Sequence, residues 1–311
     1  MFRKILHFFR RLLGTAQILQ QQEQWQQKQE WQQQQQQRAL LMLGNMLKHS
    51  SAGLEKIKTT PTYKRCAGII SLLSPMDVKD GKFVRIGRSF DGGYIMLDNF
   101  QTEKIDAAYS YGINNDVSWD EDIANRGIDV FMFDHTIEQL PKHHPKFHFF
   151  KIGLTGHKKG ANLNTLEECI AKNGHTRCRN LIMKMDIEGC EWDVFKEISA
   201  DVLNQFSQIV VEFHNLSSAV YDQKESLITD VLKKINQTHQ SIHVHANSAL
   251  FPLWVGDLVI PELLEVTYIR RIDVKEKLIR NTREFPTEID QPNLERLPDI
   301  YLGNFSVDRP A

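Results

Sequence analysis

Residues Leu181 to Phe195 read Leu-Ile-Met-Lys-Met-Asp-Ile-Glu-Gly-Cys-Glu-Trp-Asp-Val-Phe, and Asp186, Glu188 and Glu191 place three acids within six residues. An apolar run, Leu181 to Met185, precedes the acids, and apolar positions at helical spacing, Trp192, Phe195 and Ile198, follow them. That order predicts a buried strand that breaks into a turn and then a helix. Carboxylates gathered at such a point are costly unless a polar or cationic group meets them. The plain alternative is that Asp186 caps the next helix while Glu188 and Glu191 lie in solvent near its N-terminus. A second polar group, Glu212 and His214, closes another apolar run that starts at Gln208. Glu188, Glu212 and His214 are the candidate catalytic bases, because an acid or histidine can take the proton of a reacting hydroxyl. For His214 the alternative is a hydrogen-bonded core histidine. Asp186, Glu188, Glu212 and His214 could instead collect a divalent cation, which would lower the pKa of a bound hydroxyl. No dedicated metal motif accompanies them, so the cation is the second reading.

These side chains need elements to hold them. Strands are predicted over 107–111, 130–133, 147–154, 181–185 and 208–213, with later ones over 241–245 and 265–270. Helical patterns over 117–126, 163–171 and 226–235 separate them. Strands alternating with helices predict a doubly wound, mostly parallel α/β sheet with right-handed crossovers. In such a sheet the strand ends Gly112 to Asp116, Asp134-His135, Asp186 to Glu191 and Glu212 to His214 share one edge, where ligands bind. A glycine turn after the first strand lets backbone approach a nucleoside. An acid roughly 20 residues on, at the end of the second strand, is placed for ribose hydroxyls, and Asp134 has that spacing. The turn lacks the GxGxxG pattern. Residues 83–97 suggest two short strands joined at Asp91-Gly92-Gly93, either a simple hairpin or a flap carrying Arg85 and Arg88 over the site.

The chain has 311 residues and a formal charge of −1, so no global basic field points to nucleic acid. Its four cysteines form no CxxC pair, which suits reduced thiols, mostly buried, in a cytoplasmic protein. No signal peptide with a small-residue cleavage site is read, and no apolar run reaches the about 18 residues of a membrane span. Residues 1–14 put Phe2, Ile5, Leu6, Phe9, Leu12 and Leu13 on one helical face and Arg3, Lys4, Arg10 and Arg11 on the other. A basic amphipathic helix of this kind predicts peripheral attachment to the inner face of the cytoplasmic membrane; the alternative is packing on its own domain. Residues 15–49 are glutamine-rich and predict a helical or coiled-coil arm, suited to a homo-oligomer or a partner, or else a solvated spacer. Residues 50–61 read as a polar hinge, and the catalytic domain is expected over 62–311.

Several strings together carry a resemblance. Tyr-Ser-Tyr-Gly-Ile-Asn-Asn-Asp-Val-Ser-Trp-Asp at 109–120, Phe-Asp-His at 133–135, Ile-Gly-Leu-Thr-Gly at 152–156, Met-Asp-Ile-Glu-Gly-Cys-Glu-Trp at 185–192 and Val-Glu-Phe-His at 211–214 resemble the FkbM-like class I methyltransferases. The resemblance implies a Rossmann-like methyltransferase sheet, here preceded by the N-terminal helical arm. It implies S-adenosylmethionine as cofactor, with Tyr111, Gly112, Asn114, Asp116, Asp134, His135 and Asp186 around it. It also implies a sugar hydroxyl of a surface polysaccharide or lipid-linked glycan as acceptor. One departure stands out: class I enzymes usually carry an acid two residues before the first glycine, and here that residue is Ser110, with Asp116 or Asp120 near enough in sequence to compensate. An inactive methyltransferase-like scaffold at the membrane is the alternative that this departure supports.

Overall fold

A computed structural model describes residues 51–307 apart from 158, 159, 161 and 222–224. The expectations for the amphipathic segment and the glutamine-rich arm lie outside the described residues. The stretch read as a hinge is helical over Ser51–Lys58. A second helix, Pro61–Leu73, follows at once, with Thr60 accepting from Tyr63 N and proline in the first turn, where its missing N–H costs nothing. The compact unit that holds everything below runs over 53–311.

Seven strands form the central sheet: β1 (Ala107–Tyr111), β2 (Val130–Phe133), β3 (Phe147–Phe150), β4 (Leu181–Met185), β5 (Phe206–Phe213), β6 (His239–Ala246) and β7 (Leu264–Arg270). Their spatial order is β6-β7-β5-β4-β1-β2-β3. The five strands from β5 to β3 are parallel, and β7 runs antiparallel between β5 and β6. This is the Rossmann-like α/β sheet expected from the alternating pattern. The order reverses beside β1, which puts the ligand crevice of a doubly wound fold between β1 and β4. Strands β1, β4, β5 and β6 are buried at every position, as the near-continuous apolar runs require of a sheet covered on both faces.

One face packs under the helices Pro61–Leu73, Glu191–Glu197 and Glu225–Thr238, with Trp192, Phe195 and Phe213 in its core. The other face carries Trp119, Ile123 and Ile182. Helix starts follow local chemistry: Thr165 and Glu168 form a capping box before Leu166–Lys172. The hairpin is present, Phe83–Ile86 pairing antiparallel with Tyr94–Leu97. The tail after Arg271 adds a short strand, Leu278–Arg280, against Met76–Val78. Its Asp290 and Asp299 receive His243 and His245 at 2.9 Å each, so buried imidazoles clamp the tail to β6. None of the helices, among the described residues, is long and apolar enough to cross a membrane.

Candidate active site

The C-terminal ends of β1, β2 and β4 open onto a cavity of about 390 Å³, within the range of small-molecule sites. The turn after β1 forms one wall. Gly112 has a φ of +76°, and a Cβ there would overlap the carbonyl oxygen of Asp186. Gly112 N donates to Phe133 O at 3.2 Å, and Asp186 N donates to Tyr111 O at 3.0 Å, so the turn is tied to both neighbouring strands. Only glycine combines that φ with that approach. Gly112→Ala is therefore expected to lose roughly 1–3 kcal/mol from backbone strain alone, read as a fall in Tm. An unchanged Tm would show that the turn is free to shift away from β4.

Asp134 holds the same turn from the other side. Its Oδ2 accepts from Ile113 N at 2.9 Å and Asn114 N at 2.8 Å. Its Oδ1 accepts from Thr136 N at 2.7 Å and Thr136 Oγ1 at 2.6 Å. Burial pushes this carboxyl up, but the bonds from Asn114, Thr136 and Ile113 outweigh it and leave the group below the usual range. A carboxylate has about four acceptor sites, and chain donors fill all of them. Asp134 thus lines the cavity as expected, with fixing the glycine turn as its visible task.

Asn114, Asp116, His135, Asp186 and Glu188 also line the cavity. Asp116 is committed locally: it accepts from Ser118 N and Oγ at 3.1 and 3.0 Å, and Arg88 stands 4.0 Å away. Tyr111 corrects the expectation made for it. Its ring is fully buried, 4.9 Å from that of Phe133, and only its backbone serves the turn. Alternation along β1 sends its side chain to the core. Glu212 and His214 do not line the cavity; they meet Asp186 from β5, His214 Nε2 lying 3.9 Å from Asp186 Oδ1. Of the two flap arginines, Arg88 reaches the cavity, while Arg85 braces its own turn by donating to the carbonyls of Arg88 and Phe90.

Tyr94, Lys184 and Cys190 also line the cavity and were given no role in the sequence, while Asp120, named there only as a possible substitute for the acid missing at Ser110, lies on the wall as well. A lysine inside the apolar run 181–185 was the available signal for Lys184. Its Nζ donates to Gly112 O at 2.9 Å and lies 5.7 Å from the centre of the Tyr94 ring. Cys190 is exposed, which departs from the expectation of mostly buried thiols.

Comparison with known proteins decides the class. The family model described as a methyltransferase domain matches residues 76–249, more than half of the 311 residues. The chain belongs to that family. Nothing among curated proteins matches it. A solved structure from Anabaena variabilis, described as a methyltransferase from an antibiotic biosynthesis pathway, is similar at 10% identity and a TM-score of 0.28. That similarity covers 50% of this chain and 63% of the other, so this chain spans less than two thirds of that relative's length.

In this domain the acids at the β4 end surround one imidazole. His214 Nδ1 is 3.2 Å from Glu191 Oε1, off hydrogen-bond geometry, and its Nε2 is 3.5 Å from Glu188 Oε2 and 3.8 Å from Glu212 Oε1. Burial opposes charge on the ring, but Glu188, Glu191 and Glu212 together raise its pKa to about 11. At neutral pH the ring is an imidazolium, with no lone pair to accept a proton. The shift runs toward a protonated ring that balances the acids, while the sequence reading held His214 as a candidate base, a metal ligand or a hydrogen-bonded core histidine. Glu212 is pushed well above the usual carboxylate range, chiefly by burial and then by Asp186 and Glu265, and it accepts from Asn247 at 3.2 and 3.3 Å. Asp186 differs because it faces the cavity. Burial raises it to about 6, against the opposing pull of Lys184 and His214, and Tyr94 donates to its Oδ2 at 3.4 Å. Asp186, Glu191 and His214 also bring ligand atoms within 4.8 Å of one another. A cation there would have to displace the His214 proton. Glu191 thereby replaces Glu188 and Glu212 in the set expected from sequence.

Proposed function

We propose that this protein is an S-adenosylmethionine-dependent O-methyltransferase acting on a sugar hydroxyl of a surface polysaccharide or lipid-linked glycan. The observation that carries the reading is the cavity at the ends of β1, β2 and β4 of a methyltransferase-family domain, with the Asp186 carboxyl on its wall. Hydroxyl methylation releases a proton as the bond forms, and a positioned carboxylate can accept it. The cofactor, when bound, supplies an electrophilic methyl group. The chain's own residues do the rest. The Gly112 turn and Asp134 shape the nucleoside side, Arg88 and Gly92 of the flap line the cavity, and Glu188 at the rim faces the acceptor. His214 keeps Asp186 in place through its charge. The FkbM-like strings support a sugar acceptor over other hydroxyls. Incubating the full-length protein with methyl-labelled S-adenosylmethionine and surface glycan, then finding label on sugar oxygen by mass spectrometry, tests the reading. Cofactor binding without label on any sugar would exclude the glycan. Absence of cofactor binding would leave the scaffold alternative.

We also propose that the basic amphipathic segment holds the enzyme at the inner face of the cytoplasmic membrane, where a lipid-linked acceptor is presented. A face of this kind contributes roughly 1 kcal/mol per basic residue near an anionic surface. Deleting residues 1–49 is expected to move the protein from the membrane pellet to the soluble fraction. Equal recovery in the pellet would place attachment elsewhere.

A further inference from the structure

The flap turn joins Phe83–Ile86 to Tyr94–Leu97, and its Arg88, Asp91 and Gly92 line the cavity. It is held from two sides. From within, Arg85 donates to the Phe90 carbonyl. From outside, a loop of the tail closes on it: Phe90 N donates to Gln291 Oε1 at 3.1 Å, and Asp91 N donates to Asn293 O at 3.2 Å. Phe90 has a φ of +63°, a region that bulky side chains rarely adopt. Such a conformation persists only where its surroundings fix it, and here Arg85 and Gln291 take both of its backbone groups.

Asn293 is the centre of this clamp and is 3% exposed. Its Nδ2 donates to Glu265 Oε1 at 2.7 Å and to Asp91 Oδ1 at 3.3 Å, and its Oδ1 accepts from Ser248 N at 3.3 Å. An amide fits because it donates to two carboxylates and accepts from an N–H at once. Glu265 belongs to β7 and Ser248 follows β6, so Asp91 is tied to the side of the sheet away from Asp134 and the glycine turn. Asp91 is exposed, and among the described residues its Oδ2 receives no hydrogen bond. Asp134 differs, since the chain takes both of its oxygens. Residues 291–293 lie outside 76–249, the stretch matched by the family. A contact braced from there suits the acceptor, the partner that differs between enzymes sharing one fold and one donor.

We propose that Asp91 accepts a hydrogen bond from a hydroxyl of the methyl acceptor, and that Asn293 is the positioning residue that holds Asp91 for it. This rests on the acceptor reading given above. A carboxylate only accepts, and its bonds from hydroxyls are among the stronger ones. With one oxygen fixed by Asn293, the other meets the substrate without a further cost of ordering the side chain.

The test uses full-length protein, methyl-labelled S-adenosylmethionine and surface glycan at varied concentration. Asp91→Ala is expected to raise the glycan KM ~10–100-fold, the scale of a hydrogen bond to a charged group. Cofactor affinity, measured by calorimetry, should stay within about twofold. Asn293→Ala should raise the glycan KM in the same direction, yet add nothing once Asp91 is already alanine, because an effect exerted through Asp91 disappears with it. A merely structural Asn293 would multiply the two effects, and that result overturns the positioning role. An unchanged glycan KM in Asp91→Ala overturns the contact, as does an equal loss of cofactor affinity. If Asn293→Ala does not fold, Gln291→Ala enters the same cycle with the same expectation. A wild type that labels glycan while Asp91→Ala behaves identically confines the failure to this inference. A wild type that labels no sugar defeats the acceptor reading and this assignment together.

Discussion

Asp186→Asn lowers methyl transfer per folded molecule by ~10²–10⁴-fold, the usual contribution of a positioned general base, while cofactor affinity changes little. The asparagine keeps the shape of the side chain and can still accept from Tyr94 Oη, but it cannot take a proton. In the wild type the same group gives the pH profile. Below about 6 the Asp186 carboxyl is protonated, so kcat/KM should fall about tenfold per pH unit on the acid side, and Asp186→Asn should lose that limb. Loss of Glu188 or His214 acts differently. Glu188 has an 87% exposed side chain at the rim, and His214 touches no cavity space. Their removal should change the position of the acid limb or the folded fraction before it changes the chemistry. If Asp186→Asn keeps near-normal turnover, transfer here runs on proximity alone. Loss of activity with chelator, restored by Mg²⁺, would instead move the role to a cation held by Asp186, Glu191 and His214.

Asp134→Ala is expected to lose cofactor affinity and stability together. Four donors close on one carboxylate, and hydrogen bonds to a charged acceptor are worth roughly 1.5–3 kcal/mol each, not additively. The loss in binding should be at least ~10-fold, because Ile113 and Asn114 are then free to leave the geometry that lines the cavity. The sign of the pH effect follows from the depressed pKa. The stabilisation is complete above the ordinary carboxylate range and is lost as pH falls through the lower, folded-state value. The wild type should therefore lose stability over that acid window more steeply than Asp134→Ala. Unchanged affinity in a folded Asp134→Ala protein would remove this residue from the site.

What the sequence determined by itself is what depends on neighbours along the chain. Apolar runs that stop at Asp134, Asp186 and Glu212 mark parallel strands buried on both faces, because such strands have no solvated side to alternate with. The glycine after β1 is readable because turn chemistry is complete within a few residues. The convergence of strand ends followed from the fold class, since a parallel sheet puts those ends on one edge. Tertiary structure alone decided the rest. The antiparallel β7 slips between β5 and β6, an order that no local pattern encodes. Tyr111 and Ser110 occupy opposite faces of β1, and a period of two does not say which face meets the cavity. Asp120 follows the rule for an acid in a first helical turn, yet packing under the flap buries it to 1% exposure. His214 is drawn toward the cation because carboxylates from the β4 end, the helix after it and β5 meet around one ring. Proton affinity is a sum over neighbours in space, and those neighbours are assembled only when the sheet closes.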